Sequence, residues 1–371
     1  MVHLQPPKTQ ATRPEEAIVA RAREMGFDAV GFARADLPLE ADFAHYRAFI
    51  DQGMHGEMSW LAENAEVRAV ATGEGMLAGA RSVICLARRY QRPREDEERD
   101  APLARTVARY ARGSDYHNHL RRKLRKLAAF VRRLGTEEAP VFARPLCDDA
   151  PILERAWAAR AGLGFIGKNG LLIVPGQGSM VLLGEVLTTL PLTPGVPMAE
   201  RCGSCTRCLE ACPTDAFVRP FVLDARRCIA YLTIEHHSDI AEEFRAPIGE
   251  HLFGCDDCQT VCPFNASNKQ RAPAQGPFRP LEAWSSLDLT TLLELRGEDD
   301  EATQAVWARL AGSPVRRATA EGLARNAALV LGNRGDAEAL PVLRRAAAAH
   351  PSAMVRETAG WAVRLLEGCR G

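Results

Sequence analysis

The sequence contains no apolar run long enough to cross a membrane. Such a span needs roughly 20 consecutive apolar residues, and polar or charged residues interrupt every hydrophobic stretch of the 371-residue chain. The first residues also lack the pattern of a signal peptide, because Pro14 and the charges from Arg13 to Glu16 break up any apolar segment. We therefore expect a cytoplasmic protein that does not bind a membrane.

The chain also has no net charge, with 47 basic and 47 acidic side chains. The charges are distributed unevenly, because residues 105–133 hold ten Lys or Arg and a single acid, Asp115. Such a basic stretch is typical of a helix that contacts phosphate groups. A solvated helix face with an acidic partner elsewhere in the protein is the alternative interpretation.

Structural disulfides are not expected, because the cytosol keeps thiols reduced, yet the chain has 11 cysteines. Eight of them lie between Cys202 and Cys262, and this clustering favours metal binding over packing. The other three, Cys85, Cys147 and Cys369, stand apart, and we expect them to be buried, inert thiols.

Residues 201–217 read "RCGSCTRCLEACPTDAF", which is a C-x2-C-x2-C-x3-C-P run. This is the bacterial ferredoxin pattern, in which three cysteines hold one [4Fe–4S] cluster and the fourth binds the other cluster. Tetrahedral zinc sites also use C-x2-C pairs. Zinc does not explain three successive thiolates followed by C-P, so the pattern favours iron–sulfur clusters.

A second, shorter copy follows at residues 253–263, "FGCDDCQTVCP". Exchange of the outlying cysteines predicts a first cluster held by Cys202, Cys205, Cys208 and Cys262. The second cluster then has Cys212, Cys255 and Cys258 and lacks one ligand. Cys228 is the nearest free candidate, with a core thiol as the alternative, and Cys85 and Cys147 are more distant competitors.

Helices and short strands alternate over residues 1–197, which predicts an α/β domain. The predicted strands cover residues 29–33, 82–87, 139–146, 170–174 and 179–189. Residues 198–266 are predicted to form a ferredoxin-like domain with both clusters, and residues 265–280 have the composition of a linker.

The last part of the chain, residues 281–371, is rich in Ala, Leu and Arg. The segment "RNAALVL" from Arg325 aligns with "RETAGWAV" from Arg356 at an offset of 31 residues. This period predicts an all-α domain of stacked HEAT-like helical repeats. The fold class is therefore mixed, with α/β or α+β structure first and helices last.

Several segments in this order resemble epoxyqueuosine reductases. They are "RYARGSDYH" from Arg109, "ERAWAARAGLGFIGKN" from Glu154, the cysteine pattern with its displaced Cys228, and the helical tail. The resemblance implies an oxidoreductase that reduces epoxyqueuosine to queuosine at the wobble position of tRNA, the last step of queuosine biosynthesis. It also implies base-off cobalamin, held by an N-terminal domain related to reductive dehalogenases and more distantly to nitroreductases, and two [4Fe–4S] clusters that supply electrons.

By the same resemblance, Asp148 in "CDDAP" is the proton donor, with Asp149 beside it. The residues expected to contact cobalamin are Arg68, Ala108, Asp148, Arg155, Lys168, Asn169, Leu172, Ser179, Leu183, Val186 and Thr233. The glycines of residues 162–169 would let the backbone approach a large macrocycle. An arginine on a helix surface is the alternative for Arg155, and ordinary strand packing is the alternative for Leu183 and Val186.

The resemblance also gives the basic stretch a partner, a tRNA with a GUN anticodon, which means the tRNAs for Asp, Asn, His and Tyr. The residues expected to contact it are Arg112, Arg121, Arg122, Lys123, Arg125, Lys126, His236, Arg316 and Arg317. Arg325, Arg344 and Arg345 would extend this basic track, with His237 near the substrate entrance. A cellular electron donor and a monomeric state complete the expectation.

Two other functions remain open from the sequence. A cobalamin-dependent reductive dehalogenase would share the cofactors, although such enzymes usually carry an export signal. A non-catalytic iron–sulfur electron carrier would use the helical repeats for docking. Detection of bound corrinoid would distinguish the two enzymes, which need it, from this carrier, which does not.

Overall fold

The computed structural model describes residues 13–73, 75–148, 150–266 and 276–368. Cys369 and Asp149, both named above, lie outside the described residues, as does most of the predicted linker. Among the described residues, no helix combines the length and the apolar character that a membrane crossing requires.

The first half of the chain contains eight helices and six strands. They are α1 Pro14–Glu24, β1 Ala29–Arg34, α2 Glu40–Asp51, α3 Ser59–Ala62, α4 Ala65–Ala69, β2 Ser82–Arg89, α5 Arg94–Glu98, α6 Pro102–Arg105, α7 Tyr116–Arg132, β3 Ala143–Leu146, α8 Glu154–Arg160, β4 Phe165–Ile166, β5 Leu172–Ile173 and β6 Val181–Thr188. A single 3-10 turn, Arg109–Ala111, precedes α7. All five predicted strand regions contain a strand, although β3 and β5 are shorter than predicted.

Four of these strands form one sheet in the order β1-β2-β6-β3. Every neighbouring pair is antiparallel, with Val30 opposite Leu86, Cys85 opposite Glu185, and Glu185 opposite Leu146. An α/β domain would have parallel strands joined by crossover helices. The N-terminal domain is therefore of the α+β type, and the α/β prediction is corrected on this point.

Helices cover both faces of the sheet, because side chains alternate between the faces along each strand. On one face Val186 and Leu86 pack with the apolar side of α7, including Leu124. On the other face Cys85 and Leu187 pack with α8 and the segments around it. The amphipathic helix α7 thus presents its leucines to the sheet and its basic side chains outward.

The cysteine-rich region consists of short elements joined by tight turns. They are α9 Arg207–Glu210, β7 Phe217–Arg219, β8 Val222–Leu223, the 3-10 turn Ala225–Arg227, α10 Ile229–Ile234, α11 Glu242–Arg245, α12 Asp257–Thr260 and α13 Pro263–Ala266. The strands β7 and β8 form an antiparallel hairpin. These short elements leave the cysteines on loops and helix ends.

The C-terminal part is helical throughout, as predicted. It contains α14 Leu289–Leu293, α15 Glu301–Arg309, α16 Ala320–Asn333, α17 Leu340–Ala349 and α18 Ala353–Gly368, with 3-10 turns at Glu282–Ser285, Pro314–Ala318 and Ala337–Ala339. Helix α18 packs against α16 and α17. The segments aligned at the 31-residue offset lie in α16 and α18, which are neighbours in space.

The hydrophobic core of these helices extends into earlier parts of the chain. Leu103 and Val107 near α6 and Leu232 in α10 belong to the same cluster of buried side chains as Leu323 in α16 and Trp361 in α18. The predicted domain boundaries are therefore crossed by a continuous core.

Candidate active site and cysteine clusters

Four cysteines predicted for the first cluster line one cavity of about 230 Å³. Cys202 and Cys205 come from the loop that leads into α9, Cys208 lies in the first turn of α9, and Cys262 lies between α12 and α13. Burial raises the pKa of the Cys202 thiol to about 11, against hydrogen bonding from the Lys168 backbone that lowers it. Iron compensates the cost of buried thiolates, so the cavity fits a cluster.

The other four cysteines, Cys212, Cys228, Cys255 and Cys258, form a second group. Burial raises the pKa of Cys258, and the charges of Cys228 and Cys212 raise it further. Burial also raises the pKa of Cys255, with a smaller contribution from Cys228. The structure therefore brings Cys228, at the N-terminus of α10, together with the three cysteines that lacked a fourth ligand.

The competing cysteines lie elsewhere. Cys85 is fully buried on β2, in the core between the sheet and α8. Cys147 is buried in the core on the α7 side of the sheet. Both are packing residues, in agreement with their predicted inert role.

A histidine near the second group was not identified from the sequence. The Nε2 atom of His251 lies 3.0 Å from Oδ2 of Asp257 and 3.8 Å from Sγ of Cys255. Its position four residues before Cys255 was the available signal. One ligand atom each from His251, Cys255 and Asp257 lie within 4.8 Å of one another, so this histidine stands directly beside the second group of cysteines.

A cleft of about 690 Å³ opens between the N-terminal domain and the C-terminal helices. Its charged side chains include four arginines and three acids: Arg68, Arg121, Arg316, Arg317, Glu63, Asp115 and Asp148. Trp60, which is 44% exposed, also lines the cleft, and the Arg317 guanidinium lies over its ring at 5.8 Å from the centroid. Such a mixture of guanidinium groups and an exposed aromatic ring suits a nucleic acid ligand.

Asp148 projects into this cleft from the loop that follows β3. Its backbone has a φ of 55°, a left-handed conformation that is uncommon outside glycine. The backbone N–H of Asp148 donates to Oε1 of Glu154 at 3.0 Å. Its Oδ2 atom accepts a hydrogen bond from the Tyr116 hydroxyl at 3.2 Å and lies 2.9 Å from Nε2 of His117. The carboxylate is exposed to the cleft and held from two sides.

The start of α7 fixes His117. Asp115 is the N-cap of this helix, and its Oδ1 atom accepts from the backbone N–H of His117 at 2.9 Å. The same oxygen lies 2.7 Å from Nδ1 of His117. Burial alone would lower the pKa of His117, but the hydrogen bonds to Asp115 and Asp148 raise this pKa to about 9. His117 is therefore a cation at neutral pH.

Two further carboxyl groups lie behind the Asp148 loop. Glu185, on the central strand β6, is fully buried, and burial and the charge of Glu154 raise its pKa well above the usual value. Burial and the charge of Asp148 also raise the pKa of Glu154. The raised pKa values of both carboxyl groups favour their protonated forms, which limits the negative charge buried behind the Asp148 loop.

Two of the residues predicted to contact cobalamin carry buried nitrogen atoms that have no hydrogen-bond partner among the described residues. These atoms are Nε of Arg68 and Nδ2 of Asn169. The exposed side chain of Arg155 donates to the Gly170 carbonyl. Arg68 lines the cleft and Asn169 lines the cavity of the first four cysteines, so each unpaired nitrogen is available to a ligand bound there.

Other predicted cofactor residues make contacts within the protein. The Lys168 Nζ atom donates to the carbonyls of Gly203, at 2.6 Å, and Cys205, at 3.0 Å. The Ser179 hydroxyl donates to Oε1 of Gln259 at 3.0 Å. These two polar side chains connect the N-terminal domain with the cysteine-rich region.

The apolar members of that prediction are divided between different places. Leu183 and Val186 point to opposite faces of the sheet, and Val186 is fully buried against α7. Strand packing therefore explains Val186, and the prediction that both side chains face one ring is corrected. Ala108 and Leu172 are buried, and so is the polar Thr233.

The glycines of residues 162–169 have an internal explanation. A Cβ atom on Gly164 would lie 2.1 Å from the Ile173 carbonyl oxygen, and one on Gly162 would lie 2.7 Å from that of Val196. These glycines allow backbone segments of the protein to approach each other. The expectation that they make room for a macrocycle is corrected for these two positions.

The basic residues before and within α7 separate into three environments. Arg112 is buried, with Nε donating to the Val107 carbonyl at 2.9 Å, so it does not reach a phosphate. Lys123 donates to the Met25 carbonyl at the end of α1. Arg121 lines the cleft, and the exposed positions on the helix are Arg122, Arg125 and Lys126. The prediction of tRNA contact is therefore corrected for Arg112.

The C-terminal arginines differ in the same way. Arg316 and Arg317 line the cleft, and Arg317 pairs with Glu235 at 2.5 Å. Arg325 is 1% exposed and donates to the Leu232 carbonyl at 2.7 Å, so its predicted place in the basic track is wrong.

Three other residues of the predicted track are half-buried or paired on the surface. His236 is half-buried and lies 3.1 Å from a Glu57 carboxylate oxygen. Arg344 and Arg345 are exposed and form ion pairs with Glu367 and Glu294.

Two groups of four cysteines and a cleft that contains a carboxylate, an imidazolium and four arginines define an iron–sulfur oxidoreductase. Residues 201–265 match the 4Fe-4S double cluster binding domain, and residues 72–148 match the family described as epoxyqueuosine reductase QueG, DUF1730. The chain belongs to the epoxyqueuosine reductase family. It is 41% identical to the epoxyqueuosine reductase of Xanthomonas campestris over 92% of this chain and 93% of that protein.

Two further comparisons agree. The epoxyqueuosine reductase of Pseudomonas aeruginosa is 40% identical over 98% of this chain and 96% of that protein. A crystal structure of an epoxyqueuosine reductase with a tRNA-Tyr epoxyqueuosine-modified tRNA stem loop superposes with a TM-score of 0.83 at 31% identity, covering 95% of this chain and 90% of that chain.

Proposed function

We propose that this protein reduces the epoxide of epoxyqueuosine, at the wobble position of tRNA, to the alkene of queuosine. The observation that carries the proposal is the position of Asp148, whose exposed carboxylate lies in a cleft lined by four arginines and is joined to His117 at 2.9 Å. A relative of the same family forms a complex with a modified tRNA stem loop. The cleft supplies both an acid for the epoxide oxygen and cations for the phosphates of such a substrate.

Two [4Fe–4S] clusters would carry the electrons. The first would be held by Cys202, Cys205, Cys208 and Cys262, and the second by Cys212, Cys228, Cys255 and Cys258. The matching double-cluster family and the cavity shared by the first four thiols support this assignment. The charge of Cys208 adds to the raised pKa of Cys258, which supports the proposal that the two clusters are neighbours.

Cobalamin in its base-off form is the proposed reaction partner of the epoxide. When bound, it supplies a low-valent cobalt centre that reduces the carbon of the epoxide. Arg68, Asn169 and Arg155 are proposed to hold its polar side groups, because a buried nitrogen of each of the first two has no partner among the described residues and the Arg155 side chain is exposed. Lys168 and Ser179 are proposed to contribute indirectly, by fixing the cysteine-rich region against the domain that contains the cleft.

Asp148 is proposed to protonate the epoxide oxygen. The Glu154 side chain fixes the backbone of Asp148, while Tyr116 and His117 orient its carboxylate. A general acid needs this fixed position near the atom that it protonates. Tyr116 retains its proton, because burial and the charge of Asp148 raise its pKa.

The tRNA is proposed to enter along the face formed by α7 and the C-terminal helices. The lining residues Arg121 and Arg316 mark the cleft end of this path. Arg125 lies one helical turn beyond Arg121 on the same face of α7. We propose that α16–α18 form HEAT-like repeats that contact the anticodon stem loop, with GUN anticodons, those of the tRNAs for Asp, Asn, His and Tyr, as substrates.

The proposed organisation has three functional regions. Residues 1–197 hold cobalamin and the cleft, residues 198–266 hold the clusters, and residues 281–371 contact tRNA. A cellular one-electron donor would reduce the clusters, and the protein would act as a monomer in the cytoplasm, where its tRNA substrate is found.

The test is conversion of epoxyqueuosine to queuosine in tRNA by anaerobically reconstituted protein, followed by nucleoside mass spectrometry. Asp148→Asn should lower the rate at least 100-fold, a typical effect for loss of a general acid, while Asp51→Asn on the exposed face of α2 should not. Full activity of Asp148→Asn would contradict the assignment of Asp148. Failure of the reconstituted wild-type protein to bind corrinoid would favour the electron-carrier alternative.

A further inference from the structure

The reduction of an epoxide to an alkene consumes two electrons and two protons. Both C–O bonds break, a C=C bond forms, and the oxygen leaves as water with two hydrogens. A one-electron reductant that works through the clusters supplies the electrons in two steps. A single carboxyl group at the reaction centre supplies one proton, so a second acid is required nearby.

We propose that His117 is this second acid, and that it returns a proton to Asp148 after Asp148 has protonated the substrate oxygen. The proposal rests on the proposed function and extends it to a residue that acts through Asp148. His117 is therefore a positioning and proton-supplying residue, rather than a group that touches the epoxide.

The geometry forms a continuous path. The Oδ2 atom of Asp148 lies 2.9 Å from Nε2 of His117, and Nδ1 of His117 lies 2.7 Å from Oδ1 of Asp115. Asp115 cannot move away easily, because it caps α7 through the backbone N–H of His117. The Tyr116 ring stacks on the imidazole with their centroids 4.0 Å apart, which fixes the ring plane.

The proton transfer leaves each partner in a favourable state. Asp148 gives its proton to the epoxide oxygen and becomes a carboxylate. His117 then gives its Nε2 proton to Oδ2 of Asp148, and the neutral imidazole keeps its Nδ1–H bonded to the Asp115 carboxylate. Asp148 passes this second proton to the same oxygen, which leaves as water, and the open cleft allows solvent to return one proton to Asp148 and one to Nε2 of His117 before the next turnover.

The charges around the imidazole favour its protonated form. The titratable and charged groups that line its surroundings are Asp115, Tyr116 and Arg121 on or before α7, Asp148 after β3, Glu63 and Arg68 near α4, and Arg316 and Arg317 on the 3-10 turn Pro314–Ala318. The two carboxylates contact the ring directly, and their hydrogen bonds outweigh the effect of burial on its pKa, which is about 9.

The first experiment measures the proton on His117 without cofactors or substrate. Protein labelled with ¹³C at the Cε1 atoms of its nine histidines is titrated by NMR, and His117→Gln assigns the signal. We expect a midpoint near 9 in the wild-type protein and a fall of about one unit or more in Asp148→Asn, because that substitution removes a neighbouring charge. A wild-type midpoint near about 6.5, the value of a free histidine, would overturn the proposal.

The second experiment uses the reconstituted enzyme and tRNA containing epoxyqueuosine. His117→Ala should lower kcat about 100-fold with little change in KM, and added imidazole should restore part of the rate. His45→Ala, an exposed histidine on α2, is the matched control. A His117→Ala rate equal to the wild-type rate contradicts the proposal, and so does a reduced rate that imidazole does not raise.

The pH profile distinguishes proton supply from a structural role. The wild-type rate should fall as pH rises through about 9, because His117 loses its proton there, and His117→Gln should lack this alkaline limb. If the wild-type protein does not convert the substrate, the proposed function fails, whereas an NMR midpoint near 9 would still support the proton-supplying state of His117. If His117→Ala does not fold, the NMR comparison of the wild type with Asp148→Asn decides.

Discussion

The side-chain oxygen of Asn265 accepts a hydrogen bond from the backbone N–H of Ser179, at a distance of 2.8 Å. Ser179 lies two residues before strand β6, and Asn265 lies three residues after Cys262. The Asn265 amide also donates to the Ser179 hydroxyl at 3.0 Å and to the Gln259 carbonyl at 2.7 Å. One buried amide thus fixes the cysteine-rich region against the sheet domain.

Replacement of this amide should weaken the junction. Asn265→Ala removes the acceptor of the buried Ser179 backbone N–H and one hydrogen bond each from the Ser179 hydroxyl and the Gln259 carbonyl, which should cost about 3 kcal/mol in the free energy of unfolding. We expect a lower thermal midpoint, measured by circular dichroism on the reconstituted protein. Asn118→Ala, at an exposed position of α7, is the control and should leave the midpoint unchanged. Equal midpoints for the two variants would show that the junction does not depend on Asn265.

Cys228→Ala should remove one cluster. The second group of thiols would then have three cysteines, and the iron content of anaerobically reconstituted protein should fall from about eight to about four atoms per chain. Cys85→Ala is the matched control, because Cys85 is a packed thiol of the sheet and should keep the full iron content. Iron analysis together with electron paramagnetic resonance checks the result. Retention of all the iron would mean that another residue completes the second cluster.

Trp60→Ala should weaken the binding of an anticodon stem loop. The exposed ring lies in the cleft beneath the Arg317 guanidinium, where an unstacked base can lie against it. Stacking of a base on an aromatic side chain contributes about 1–3 kcal/mol, so we expect a loss of roughly tenfold in affinity. Trp60→Phe should retain most of the affinity. Fluorescence anisotropy of a labelled stem loop measures both, and equal binding by the alanine variant and the wild-type protein would exclude stacking at this position.

His119 should make the protein sensitive to acid. Burial and the positive charges of Lys123, Arg122 and Arg88 lower its pKa to about 4, against about 6.5 in an unfolded chain. The stabilisation by the neutral ring is present above about pH 6.5 and is lost as pH falls towards 4, because the unfolded chain then binds the proton more readily. Its partial exposure reduces the effect to about 1.5 kcal/mol.

The predicted loss of stability in acid is tested by measuring the free energy of unfolding at pH 7 and at pH 5. The free energy of unfolding of the wild-type protein, measured in urea, should decrease more between these two values than that of His119→Gln, which does not titrate. His45→Gln, at an exposed site, is expected to behave like the wild type. Parallel pH profiles for wild type and His119→Gln would contradict the prediction.

A set of ligands for the clusters could be predicted because it depends on the spacing of cysteines that are close together in the sequence. The segment from Cys202 to Cys212 specifies its chemistry within a few turns of chain. Counting ligands makes Cys228 the nearest candidate for the missing ligand, and its charge contributes to the raised pKa values of Cys255 and Cys258, which supports this prediction. The antiparallel sheet could not be predicted in this way, because the helices between strands are compatible with either direction of pairing, and pairing is decided by contacts far apart in sequence.

The basic residues show a second limit of prediction from the sequence. Arg121 and Arg325 both stand in arginine-rich helical sequence, yet one lines the cleft and the other is 1% exposed. Burial of an arginine requires a set of acceptors, and for Arg325 these are carbonyl groups more than 80 positions away, including that of Leu232. His117 escaped notice for a related reason, since Asp148 approaches it only in the folded chain.

The core that α6 and α10 share with the C-terminal helices limits how this architecture can be rearranged. Suppose that the helices after residue 281 were exchanged between two such enzymes. The position of Leu323 in the incoming helices would then have to pack against Leu103 and Leu232 of the recipient protein. Replacement of the C-terminal helices is therefore constrained by packing, whereas substitutions on their exposed faces leave this shared core intact.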